Sequence, residues 1–175
     1  MIRFFRITAF FLVFIFLITT KIYAQSNYVL PYPSGMPGNL SYGIHLIYEN
    51  ISKYWYFGDF GQFDYNLKMT DKYLVEAKTL FEYKQYLLGY KALKKSDSYF
   101  VNIRPCLERA EKDGKNILQK EAILRGASEK HVEALGQMEK NVPSAFEWRP
   151  EKALPTRLDI KRAIENSINV RKNNS

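Results

Sequence analysis

Beyond position 40, apolar residues return at steps of three and four, the spacing of one face of an α-helix. Ser41 is a suitable cap for a first amphipathic helix in which Ile44, Ile47, Tyr48, Ile51 and Trp55 share a face, with Gly58 and Gly61 interrupting it. Phe63, Leu67, Thr70, Leu74, Ala77 and Phe81 form the next stripe, while Lys68, Lys72, Glu76 and Lys78 take the other faces. Tyr86, Tyr90, Leu93, Phe100, Ile103, Leu107 and Ala110 form a third, closed by Asp113 and Gly114. Pro105 falls inside it, and a proline in a helix interior costs about 3 kcal/mol, so a kink or restart is expected near Arg104. Ile117, Leu124, His131, Leu135 and Met138 mark a fourth helix that Pro143 stops. After Phe146 and Trp148, set among Pro143, Pro150 and Pro155, Ile160, Ile164 and Ile168 predict a short last helix, with Asn173 to Ser175 fraying. No strand-like alternation competes, so the expected class is all-α. The expected form is an antiparallel bundle of about four to five helices in one domain over 40–172.

The chain before that domain reads differently. Arg3 and Arg6 precede an apolar run from Ile7 to Ile18, and Ala24 precedes Gln25, which is the pattern of a signal peptide over 1–24. The run is shorter than the ~20 residues of a comfortable membrane span. Cleavage after Ala24 is expected, with retention as an N-terminal anchor the alternative. Both place the domain outside the cytoplasm. Pro31, Pro33, Gly35, Pro37 and Gly38 then exclude a helix and predict an extended lead-in over 25–39.

Composition narrows the chemistry. The chain carries 26 Lys and Arg against 18 Asp and Glu, and the leader holds Arg3, Arg6 and Lys21 without an acid, which leaves +5 behind it. The basic residues are interspersed with acidic ones and match no nucleic-acid module, so no nucleic acid is expected as partner. Cys106 is the only cysteine, which excludes an internal disulfide and a cysteine-rich metal site. It reads as a small buried hydrophobe on a helix.

The stretch YVLPYPSGMPGNLSY at 28–42 is followed by an aromatic helix and by LKMTDKYLVEAKTLFEYKQYLLGYKAL. With the closing NVPSAFEWRPEKALPTRLDIKRAIENSINV, it resembles the bacterial domain-of-unknown-function family numbered 5667. The positions that carry the resemblance are Leu30, Pro31, Tyr32, Pro33, Pro37 and Tyr42, while Gly38, Gly43 and His45 depart from it. The resemblance implies an exported helical bundle and brings no catalytic motif.

Side-chain chemistry points the same way. There is no nucleophile elbow and no histidine in a known arrangement with Cys106, so no enzymatic activity, catalytic residue or cofactor is expected. His45 and Glu49 stand four apart but lack a second metal-ligating pair. Asp59, Gln62, Asp64 and Asn66 depart from the calcium-loop spacing and suit a turn with a helix cap. His131 shares the stripe of Leu124 and Leu135 and reads as a satisfied core or helix-contact histidine.

The local excess is aromatic: Tyr54, Trp55, Tyr56, Phe57, Phe60, Phe63 and Tyr65 crowd the junction of the first two helices. Neighbours on a helix point about 100° apart, so these rings do not all face one core. The first expectation is that the lead-in or the Trp148 segment covers them. Otherwise Tyr54, Trp55, Tyr56, Phe57 and Phe60 are candidate contacts for a partner or ligand: an envelope protein, the membrane interface, or a cell-wall polymer whose sugar rings stack on them. The function expected is a non-catalytic interaction or structural module at the cell envelope. The alternative is an extracytoplasmic binder of a small ligand or wall glycan.

Overall fold

The structure is a computed structural model and describes residues 27–33, 47, 49 and 51–175. The expected signal peptide, much of the lead-in and most of the first helix lie outside the described residues. Five α-helices follow: α1 (Gly58–Glu82), α2 (Tyr86–Phe100), α3 (Ile103–Lys112), α4 (Leu118–Asn141) and α5 (Ile160–Asn173). A 3-10 turn at Lys53–Trp55 precedes α1, and a small sheet of β1 (Phe146–Trp148) and β2 (Thr156–Leu158) separates α4 from α5. The helical bundle expected from the stripes is therefore present.

Helix α1 is the centre, packing against α2, α3 and α4, while α5 lies on α4 and α2. All six members of its predicted stripe are buried. Two apolar halves divide the core along its length. One joins Phe63 and Leu67 of α1 to Phe100, to Ile103, Leu107 and Ala110 of α3, and to Leu124 and Ala127 of α4. The other joins Leu74, Ala77 and Phe81 to Leu93, Leu135, Met138, Ile160 and Ile164.

Pro105 acts as expected. The chain breaks at Val101 and Asn102, and α3 restarts at Ile103 with the proline in its first turn, where a helical amide lacks an intrahelical partner in any case.

Three sequence expectations are corrected. Gly61 does not interrupt a helix but lies inside α1, and Asp59, Gln62, Asp64 and Asn66 sit on that helix instead of in a connection. The stretch around Phe146 and Trp148 is not free of strands: Phe146 pairs with Leu158, Glu147 with Arg157 and Trp148 with Thr156. Three-residue strands are too short to show alternation, and Pro150 and Pro155 lie in the loop between them without entering the ladder. The face of Ile47, Ile51 and Trp55 is not an inward face either, since these residues are 62%, 51% and 64% exposed.

Two helices end in the same way. After α3 the Lys115 amide donates to the Ala110 carbonyl at 2.9 Å around Gly114, whose φ is +74. After α1 the Gln85 amide donates to the Leu80 carbonyl at 2.8 Å, but the left-handed residue there is Lys84, at φ 60. A side chain in that region strains the backbone by roughly 1–2 kcal/mol, partly offset by the larger entropy that glycine loses on folding. Lys84→Gly is therefore expected to stabilise the chain by roughly 0.5–1 kcal/mol, read as a higher midpoint of urea unfolding.

Candidate functional site

The junction aromatics separate into two groups. Tyr54, Trp55 and Phe57 remain 73%, 64% and 81% exposed, so neither the Trp148 segment nor residues 27–33 of the lead-in bury them, and the rest of the expected cover lies outside the described residues. Trp148 stands in the β1–β2 hairpin, and of the lead-in Tyr28 binds Asp71 while Leu30 packs on the core half around Leu74. Tyr56 and Phe60 are partly buried, and Phe63 and Tyr65 belong to the interior.

Local contacts hold the turn in place. Gln62 Nε2 donates to the Tyr56 carbonyl at 2.6 Å, and a Cβ on Gly61 would stand 2.8 Å from the Tyr56 carbonyl carbon. Only glycine lets the first turn of α1 come so close to the preceding backbone. The Tyr56 ring then starts a row. It lies 5.5 Å from Tyr65, which meets Tyr99 edge-on at 6.0 Å, and Tyr99 stacks on Tyr73 at 5.8 Å with the planes 2° apart. Lys95 and Lys72 lie over the Tyr73 ring at 4.1 and 4.8 Å. Burial lowers both lysines from their ordinary value, with Glu76 opposing. Lys95 also binds the Tyr73 hydroxyl, and Glu49 receives both Lys72 and that hydroxyl.

The acidic groups along this edge are engaged. Asp59 pairs with Arg109 and Lys115, each at 3.0 Å, and Asp64 pairs with Lys120 at 2.6 Å. Lys53, on the turn, and Lys68, over the Tyr56 ring, are exposed and form no ion pair among the described residues. The edge thus offers aromatic rings and ammonium groups, with its carboxylates neutralised.

A second constellation lies inside, at the level between the two apolar halves. Asp71 accepts from the Tyr28 hydroxyl and from His131 Nε2, both at 2.6 Å. Arg171, fully buried, binds Asp97, donates to Ser96 Oγ at 2.8 Å and lies 5.1 Å over the Phe100 ring. Ser128 Oγ donates to the Arg171 carbonyl at 3.0 Å, and Ser167 Oγ to Asp97 at 2.8 Å. Sequence reasoning placed His131 in the core and missed the rest. The available signal was phase: Asp71 stands four after Leu67 and three before Leu74, on a stripe that is mostly apolar.

His131 is neutral here. Burial lowers its pKa, more than the Asp71 bond raises it, and Nδ1 has no hydrogen-bond partner, so a proton there would be a buried donor without an acceptor. The unfolded chain binds a proton near pH 6.5 that the folded chain refuses, so folding carries fewer protons below that pH. Stability is accordingly full above about pH 6.5 and falls as the pH drops below it. His131→Gln, which still donates to Asp71, is expected to flatten that part of a curve of unfolding free energy against pH.

Cys106 is buried, its thiol donates to the Asn102 carbonyl at 3.2 Å, and burial pushes its pKa up, away from a thiolate. No group of three metal-ligating side chains occurs among the described residues. A cleft of about 360 Å³ between the ends of α1 and α4 has Phe81, Met138 and Val142 among its lining and opposed charges from Lys78 and Glu82. Comparison with protein-family models, with curated proteins and with solved structures gave no match to this chain, so the aromatic turn of Tyr54, Trp55 and Phe57 carries the functional reading.

Proposed function

We propose that the protein is a non-catalytic helical interaction module of the bacterial cell envelope, making contact through the aromatic turn ahead of α1. The observation that carries this is the exposure of Tyr54, Trp55 and Phe57 on a turn fixed to the bundle by Gln62 and by the close approach at Gly61. Large rings that stay mostly exposed beside a rigid support are characteristic of contact surfaces. The signal-like leader supports export, and the engaged carboxylates and buried thiol support a non-catalytic role. A sugar-binding site stacks rings on rings but also needs open amide and carboxylate groups for the hydroxyls. At this edge Gln62, Glu49 and Asp59 are already bonded.

The test is photo-cross-linking in the producing cells, with p-benzoyl-phenylalanine placed at Phe57 and, as control, at Lys152 in the exposed hairpin loop. Adducts at position 57 that are absent at 152 are expected. Equal yields at both positions, or none at 57, would overturn the reading.

A further inference from the structure

We infer that the occupant of the aromatic turn is the headgroup region of an anionic lipid bilayer; this rests on the contact reading above and names its partner. Three observations converge. First, Tyr54, Trp55 and Phe57 stand exposed on one short turn, and Ile47 and Ile51 just before it are 62% and 51% exposed. Tryptophan and tyrosine bring an apolar body with a polar tip, which suits the boundary between acyl chains and water.

Second, among the described residues the two lysines beside the turn lack an ion pair while the carboxylates nearest to it are engaged. Lys53 and Lys68 reach water without an ion pair among the described residues, whereas Glu49, Asp59 and Asp64 are held by Lys72, Arg109, Lys115 and Lys120. A protein partner ordinarily meets an apolar centre ringed by a polar rim that hydrogen-bonds across the interface. Exposed ammonium groups beside rings whose nearest carboxylates, Glu49, Asp59 and Asp64, are engaged complement an anionic plane. Each lysine near such a surface strengthens association about five-fold.

Third, the chain ahead of the turn carries the geometry for it. Tyr28 is fixed to α1 through Asp71 and follows Lys21, the end of the apolar leader, by seven residues. A retained leader would hold the bundle within about 25 Å of the bilayer, where even a weak lipid contact is populated by proximity. A cleaved chain would rely on the rings and lysines alone.

The experiment uses the chain in the form its cell makes, carrying Trp148→Phe so that Trp55 is the only tryptophan. It is combined with vesicles of phosphatidylglycerol and phosphatidylcholine containing brominated lipid. Trp55 fluorescence is expected to shift to the blue and be quenched in anionic vesicles, and to stay unquenched in pure phosphatidylcholine. Lys53→Gln with Lys68→Gln is expected to lower the ratio of lipid-bound to free turn about 30-fold, and high salt to act in the same direction. Absence of quenching in anionic vesicles would overturn the inference, as would equal quenching in neutral ones. The cross-link at position 57 separates the two readings: if it persists without quenching, the lipid partner is wrong and the contact surface stands; if both are lost, both fail.

Discussion

Replacing Arg171 by methionine is expected to destabilise the folded chain by about 3–5 kcal/mol, measured by denaturant unfolding. The side chain is fully buried near the end of α5, and its guanidinium binds Asp97, Ser96 Oγ and, at 3.2 Å, the Ser167 carbonyl. Burial lowers its pKa and Asp97 opposes this, yet a guanidinium titrates so high that it stays charged. Methionine fills much of the volume but leaves Asp97, whose side chain is 13% exposed, with Ser167 Oγ as its remaining partner. The cost is therefore that of an orphaned carboxylate more than of a lost attraction. Arg171→Met combined with Asp97→Leu is expected to recover most of the loss, because removing both partners leaves no unpaired charge. A single variant costing under about 1 kcal/mol would show that the pair is not held as described.

Phe100→Ala is expected to cost a similar amount, about 3–5 kcal/mol, by a different route. Phe100 is fully buried at the last turn of α2, where it joins the apolar half around α3 and meets the His131 ring at 5.8 Å. Its loss opens a cavity in the floor beneath the Arg171 guanidinium. Because the ring touches both polar clusters, its effect should not add to that of Arg171→Met. The double variant is expected to fall short of the sum, and simple additivity in a double-mutant cycle would contradict the shared contact.

These two residues also show where sequence reading reaches its end. The helices were legible because an apolar stripe repeats locally, and the restart at Ile103 was legible because Pro105 has one cheap place in a helix. Arg171 was not, since a charged residue four places from the end of a chain has no local feature that distinguishes a solvated tail from a buried pair. Its partners Ser96 and Asp97 stand 75 and 74 positions away. The hairpin was hidden by its three-residue strands, which bury Leu158 while leaving Trp148 partly in water. At the candidate site the aromatic excess itself was legible. Which rings stay outside was settled by Gly61, whose bare α-carbon lets Tyr56 turn inward onto Tyr65 while Tyr54, Trp55 and Phe57 point away from the interior.

The polar level between the two apolar halves also solves an alignment problem. On α5 the inward residues Ile160, Ile164 and Ile168 are identical and spaced by four, so a slide of one turn, about 5.4 Å, would replace isoleucine by isoleucine at two of three places. Hydrophobic burial alone hardly distinguishes the two settings. Arg171 does, because the same slide would move its guanidinium from its present place against Asp97 and Ser96. The arginine works as a key that fits one notch of an otherwise uniform track, and it lets a helix with a repetitive greasy face settle in a single position.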